Sequence, residues 1–201
     1  MNSLSEWECL LLHMFKINRK LILEGAFNLL RDKGHNATNA RSIAEVVGCS
    51  VQPIYSYYKN MEELMEELYV YSKTFYLEFV NISSDVSNTF EEAGKSHIRF
   101  AREERNLFQF LFTSDYTRLG SFNELYEQFG KEEVTKFISK TWKIEENKAK
   151  ELYTNMMIYT HGIASLIGNS SYGLSDEEIF NMVDKACFAF FLQVGKDEVW
   201  N

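Results

Sequence analysis

The chain has 201 residues, 45% hydrophobic and 15% aromatic, with ten glycines, one proline and a formal net charge of −8. That length suits one large domain or a small head with a larger body, and the scarcity of proline and glycine favours long helices over many-turned sheets. No apolar run reaches the roughly 18 residues of a membrane span, and Met1–Phe15 carries Glu6 and Glu8 where a secretory leader would be basic. Cys9, Cys49 and Cys187 are odd in number, far apart and without metal-ligand spacing. The expectation is a cytoplasmic protein with free thiols, no metal and no cofactor.

The charge is unevenly placed. Up to residue 60, seven basic residues (Lys16, Arg19, Lys20, Arg31, Lys33, Arg41, Lys59) face five acidic ones (Glu6, Glu8, Glu24, Asp32, Glu45). That stretch is therefore +2 and the remainder −10. Such asymmetry lets one end of the molecule approach a polyanion.

In chain order, residues 1–14 read as an N-terminal extension, either a frayed arm or a lengthening of the first helix. Lys16, Arg19 and Lys20 face two readings, phosphate contact or solvated surface. Ile17–Lys33 reads as a helix with Leu21, Ile22, Ala26, Leu29 and Leu30 inward, ended by Gly34. Thr38 reads as the hydroxyl cap of a second helix, whose apolar stripe is Ile43, Ala44 and Val47. Gly48 falls where a left-handed turn residue is wanted. Ser50 caps a third helix, Pro53 lies in its first turn, and Ile54 and Tyr58 point inward at i and i+4. Ser50, Val51, Gln52, Tyr55, Tyr57 and Lys59 are left on the other faces. Short groups at a helix start suit base edges, and phenols and an ammonium further along suit phosphates.

These residues carry a resemblance. The run Ile22…Ala26…Leu29-Leu30…Gly34…Ala37-Thr38…Arg41…Ile43-Ala44…Gly48-Cys49-Ser50…Ile54-Tyr55…Tyr58-Lys59-Asn60…Glu63-Leu64 resembles the DNA-binding head of the TetR family of bacterial transcriptional regulators, over about a quarter of the chain. Two positions depart from that pattern: Met61 replaces a lysine usual near the DNA backbone, and His35 an aromatic or aliphatic residue. The resemblance implies a homodimer that lays two such helices into successive major grooves of a near-palindromic operator. It also implies a repressor released by a small-molecule effector, and a fourth helix that links head to body and changes the head spacing. The DNA-contacting set would be Thr38, Arg41, Ser50, Val51, Gln52, Pro53, Tyr55, Tyr57 and Lys59.

The body follows from Met61. A helix from Met61 towards Ser83 shows Leu64, Leu68, Tyr71, Phe75 and Phe79 on one face, and 81–88 reads as a loop. Thr89 or Phe90 to Arg105 reads as a helix with Phe90, Ala93, His97, Phe100 and Ala101 inward. Leu107–Phe112 is strongly aromatic, either core or the wall of an apolar pocket. Residues 113–120 read as a loop. An amphipathic stretch from Ser121 to Thr141 or Trp142 is open to a split at Gly130. Ile144–Ile167 is a long helix, 169–173 a turn, and Ser175 with Glu178 a capping box for a last helix reaching about Val194. Phe100, Phe108, Phe112, Tyr126, Met156, Tyr159 and His161 are candidate ligand contacts. Gly162, Ala164 and Ser165 form a small-residue strip. With Cys187 and Phe191 they are candidate dimer contacts, because the last helix is too apolar for one buried face.

The expected fold is all-α: a three-helix helix-turn-helix head (1–62) and a helical effector-binding and dimerisation domain (63–201). No phosphate loop, His-Glu-x-x-His or paired cysteines are present, and nothing in spacing joins His97 or His161 to Cys187 as base and nucleophile, so no enzyme is expected. Two alternatives stand beside the ligand-released repressor: a regulator answering to a protein partner or to no ligand, and a helical interaction protein that does not bind DNA.

Overall fold

The computed structural model describes residues 17–80, 86–117, 120–169 and 173–194. The described residues form ten α-helices and no strand. They are α1 (Arg19–Lys33), α2 (Ala40–Val47), α3 (Val51–Tyr57), α4 (Met61–Val80), α5 (Val86–Glu103), α6 (Arg105–Phe112), α7 (Phe122–Phe129), α8 (Glu132–Trp142), α9 (Glu146–Asn169) and α10 (Asp176–Val194). Contacts divide the chain into two units, one ending at Tyr71 and one beginning at Ser72, so α4 contributes to both. The N-terminal extension, Lys16 and Cys9 lie outside the described residues.

In the first unit, each helix start and stop has an identifiable group behind it. The Asn18 side chain accepts from the Leu21 N–H at 2.9 Å and opens α1, and Gly34 at φ 80° closes it. The cap of α2 is Asn39, not Thr38. The Asn39 carboxamide oxygen accepts from the N–H groups of Arg41 and Ser42 at 3.1 and 3.2 Å. A 3-10 turn over His35–Ala37 places Thr38 one residue too early, and its buried hydroxyl instead donates to the Gly34 carbonyl at 3.0 Å. Gly48 is left-handed at φ 74°, which lets the Cys49 N–H reach back to the Ala44 carbonyl at 2.9 Å. Ser50 occupies the cap position of α3 but makes no side-chain capping bond.

The core of this unit is Ile22, Ala26 and Leu30 of α1, Ile43 of α2, Ile54 of α3, Tyr58, and Leu64 and Leu68 of α4, all at most 1% exposed. Each large side chain contributes about 1.5–3 kcal/mol by leaving water. α1 and α2 meet at Gly25, where an added Cβ would stand 2.5 Å from Val47 Cγ2.

The second unit is built on α9, which packs along α5 and α10 and against α8. One core cluster joins Val134 and Ile138 of α8, Ala149, Leu152 and Tyr153 of α9, and Val194 of α10. Residues 86–88, expected in a loop, belong to α5. The expected helix over 89–105 runs on into a second one, with a break at the buried Glu104. In α6, Leu107, Phe108, Phe110, Leu111 and Phe112 are all buried. The inward line of α4 differs from the expected one beyond Leu68: it passes through Ser72, Tyr76 and Val80, while Tyr71 is 38% exposed. Aromatic content favours Phe75 and Phe79 as inward residues, whereas burial follows the i+4 line that includes a serine and a tyrosine. Gly130 does split the amphipathic stretch, into α7 and α8. The capping box forms: Ser175 Oγ accepts from the Glu178 N–H at 3.2 Å, and a Glu178 oxygen accepts from the Ser175 N–H at 2.8 Å.

Gly25→Ala is expected to destabilise the chain by about 1–3 kcal/mol through overpacking against Val47. Urea unfolding checks this. Adding Val47→Ala to that variant should recover part of the loss; a loss unchanged in the double variant would mean the α1–α2 approach is not the cause.

Candidate nucleic-acid interface and effector pocket

The helix-turn-helix surface is set by which side of α3 is anchored. Ile54 and Tyr58, one turn apart, are fully buried. The opposite side carries Gln52, Tyr55, Ser56 and Tyr57, followed by Lys59, all exposed, with Tyr55 at 50%. Ser50 is exposed at the helix start, and Val51 and Pro53 are half-buried. Arg41 is exposed on α2. Thus Arg41, Ser50, Gln52, Tyr55, Tyr57 and Lys59 of the expected DNA-contacting set offer side chains to solvent.

Thr38 does not, because its hydroxyl is enclosed against Gly34. The start of α2 also offers less to an anion than the sequence suggests, since Asn39 already occupies the N–H groups of Arg41 and Ser42. Tyr57 donates its hydroxyl to the Ile17 carbonyl at 3.2 Å.

Arg19 ties the end of α3 to α1 and α4. Its Nε donates to Glu67 Oε2 at 2.8 Å, one terminal nitrogen donates to the Tyr57 carbonyl at 3.1 Å, and Glu63 lies 3.7 Å away. The guanidinium sits 4.4 Å over the Tyr58 ring. Burial, with Glu67 adding, pushes the Tyr58 phenol up to about 12. Arg19 is therefore held inside the protein's own network, while Lys20 extends into solvent near Glu24 at 3.7 Å. The carboxylates of Glu63 and Glu67 stand nearly fifty residues along the chain from Arg19, so no local pattern announced the pairing.

In the second unit a narrow cavity of ≈ 70 Å³ is walled by apolar and aromatic groups from α4, α5, α6, α7, α9 and α10. Of the expected ligand contacts, Phe112, Met156 and His161 line it. Phe108 stacks on His161 at 5.7 Å between centroids, and Phe100 packs among Phe75, Tyr76 and Phe79. Tyr126 bonds Thr135 at 2.6 Å, and Tyr159 meets Phe190 edge-on at 6.2 Å. The sequence reading missed Tyr76, His97 and Phe129 as cavity groups. His97 was expected inward, so the missing step was its convergence with Tyr76 and His161 from other helices.

Tyr76 Oη lies 2.9 Å from His97 Nδ1, and His97 Nε2 lies 3.3 Å from His161 Nδ1. Burial first, then the neighbouring His161, pushes His97 down to about 3. Burial lowers His161 as well. Both rings are neutral at pH 7.

The expected dimer residues scatter. Gly162 is exposed, Ala164 is fully buried in its own chain, Ser165 is half-buried beside His161, Cys187 lines the cavity, and Phe191 packs on Trp142 at 4.8 Å. The exposed apolar side chains of these helices are Leu166 on α9 and Met182, Phe188 and Leu192 on α10, with Phe188 at 63%. No group of three or more metal-ligating side chains occurs among the described residues, and no described helix is long and apolar enough to cross a membrane.

A histidine depressed from 6.5 to about 3 favours the fold in its neutral form. Its contribution is complete above pH 6.5 and is lost as pH falls from there towards 3, by about 1.4 kcal/mol per pH unit. Between pH 7 and 5, the wild type is expected to lose about 2 kcal/mol more than His97→Asn in urea unfolding. Equal losses would contradict the neutral buried ring.

Comparison with known proteins agrees with this geometry. Residues 22–68 match the family model described as bacterial regulatory proteins, tetR family. No curated protein sequence matches the chain. Three solved structures are similar in fold. A protein from Mesorhizobium loti MAFF303099 assigned to the TetR family of transcriptional regulators is 14% identical over 87% of this chain and 95% of its own, with a TM-score of 0.57. Apo ActR from Streptomyces coelicolor is 13% identical over 90% and 97%, with a TM-score of 0.54. A TetR variant from Acinetobacter baumannii AYE in complex with minocycline is 15% identical over 92% and 99%, with a TM-score of 0.53. The head thus carries the sequence model of bacterial regulatory proteins, tetR family, on the helices whose geometry is described above, and the chain shares the fold of these three structures.

Proposed function

We propose that the chain is a homodimeric transcriptional repressor that holds a near-palindromic operator and releases it when a small apolar or aromatic molecule enters the second unit. The observation that carries the DNA reading is the two-sided α3, with Ile54 and Tyr58 buried and Gln52, Tyr55 and Tyr57 outward. In this reading Ser50, Val51, Gln52 and Pro53 meet base edges, with Gln52 suited to a bidentate bond with adenine. Arg41, Tyr55 and Lys59 hold phosphates. Tyr57 would exchange the Ile17 carbonyl for a phosphate oxygen. Thr38 is left out of the contact set, since its hydroxyl is engaged on Gly34.

The pairing surface would draw on the exposed apolar side chains Leu166, Phe188 and Leu192, with Met182 at its edge, together with Gly162. An exposed phenylalanine at 63%, flanked by leucine and methionine on the same helix, is better accounted for by a partner than by solvent. The effector reading is supported by the walled cavity and by the minocycline bound to the Acinetobacter relative. An effector releases DNA only by binding the non-binding arrangement more tightly than the binding one. The small cavity volume favours a second reading, a regulator governed by a protein partner or by no ligand. A ligand that raises the melting temperature and lowers DNA affinity together decides between them.

Three outcomes are expected. Lys59→Ala and Arg41→Ala, each counted twice in a dimer, should each flatten the slope of log affinity against log salt by about 2. Fluorescence anisotropy on an operator fragment reads this, and unchanged slopes would remove those residues from the backbone contacts. Gln52→Ala should cost about 1–3 kcal/mol on the preferred sequence and little elsewhere. Phe188→Glu should yield monomers in sedimentation velocity with the helical content intact; a dimer unchanged by this charge would place the interface elsewhere.

A further inference from the structure

The cavity wall carries a continuous hydrogen-bond chain across three helices. Tyr76 of α4 meets His97 of α5 at 2.9 Å, His97 meets His161 of α9 at 3.3 Å, and the other nitrogen of His161 lies 3.4 Å from Ser165 Oγ. Tyr76, His97 and His161 all line the cavity. A neutral imidazole has one donor and one acceptor nitrogen. The chain can therefore run in two directions. With every proton pointing towards Ser165, the Tyr76 hydroxyl donates to His97. With every proton pointing towards Tyr76, His97 Nδ1–H donates to the Tyr76 oxygen, and the Tyr76 proton is available to a guest in the cavity.

Resting on the effector reading above, we propose that this cavity takes an uncharged, compact and mostly apolar molecule bearing one carbonyl or hydroxyl oxygen. That oxygen seats at Tyr76, and its arrival sets the direction of the Tyr76–His97–His161–Ser165 chain.

Three observations select this class. The deep polar groups are all neutral: the buried phenols of Tyr76 and Tyr153 are raised by burial, and the two imidazoles are lowered by it. A carboxylate seated at Tyr76 and the two imidazoles would be a buried charge among neutral groups, and the one lining cation it could pair with is Lys131. The charged groups of the wall are Lys131, whose ammonium is disfavoured by burial, and Asp184, which stands 3.6 Å from Lys95. The volume of ≈ 70 Å³ is roughly half that of an engineered cavity of about 150 Å³ that holds benzene, so a guest must be compact even where the walls yield. A purely apolar guest would leave the phenol and imidazole groups without gain, whereas one oxygen satisfies the Tyr76 proton that the reversed chain presents.

The test uses the full-length protein with ¹⁵N-labelled histidine and three compact probes of matched ring size: cyclobutanone, methylcyclobutane and cyclobutanecarboxylate. Long-range ¹H–¹⁵N spectra distinguish the nitrogen carrying the proton in each ring. Cyclobutanone is expected to shift the His97 and His161 nitrogens saturably and to exchange their tautomer pattern. It should bind at least tenfold more tightly than either other probe, and Tyr76→Phe should remove that tenfold preference over methylcyclobutane. The wild-type comparison stands by itself if Tyr76→Phe does not fold. Equal binding of ketone and hydrocarbon, or binding with unchanged tautomers, would overturn the proposal and leave the effector reading in place. Tighter binding of the carboxylate, lost in Lys131→Met, would replace the neutral class with an anionic one. No response of either histidine to any probe would overturn the proposal, while the effector reading stands or falls separately on the melting-temperature and DNA-affinity measurement.

Discussion

Everything the head can do follows from α3 being held along one side. This seven-residue helix has no intrinsic stability, because isolated helices shorter than about 12 residues are marginal in water. Ile54 and Tyr58 supply the missing stability by burial, and Arg19 fixes the far end through the Tyr57 carbonyl and the Tyr58 ring. With those groups inward, Gln52 falls on the opposite arc of a 3.6-residue repeat and Tyr55 on its flank, and both side chains reach solvent. The reading surface is thus a consequence of the packing surface.

The second unit repeats the idea with polar groups. Its helices converge on a cavity where a tyrosine and two histidines hydrogen-bond one another away from water. Such a network stays neutral because charging any member costs desolvation, and it is satisfied only while α4, α5 and α9 keep their relative positions. It therefore couples the chemistry of whatever enters the cavity to the arrangement of the helices around it. Two states of a hydrogen-bond chain are also a way for one binding event to be felt at the Ser165 turn of α9.

Much of the head was legible in the sequence because its signals are local. Gly34 and Gly48 end helices, and Ile54 with Tyr58 marks an inward side, all within a few residues. The errors there were also local: Thr38 and Asn39 are adjacent capping residues, and only the 3-10 turn before them selects Asn39. The body was less legible because its decisive contacts are distant in sequence. Tyr76 with His97, and His97 with His161, each join separate helices. Small-residue patterning suggested a shared interface for Ala164 and Gly162, but a helix turns about 200° between them, so one is enclosed and the other exposed.

The most direct measurement of the central claim is selection of duplexes from a random pool by the full-length protein, followed by affinity measurement on the enriched sequence across a range of salt. Two copies of α3 reading one duplex require an inverted-repeat sequence with half-sites about one helical turn apart, bound with a steep inverse salt dependence. They further require that Gln52→Ala alter the preferred base within each half-site. A pool that shows no enrichment, or an enriched duplex whose preference is indifferent to the outward side of α3, would contradict that paired reading.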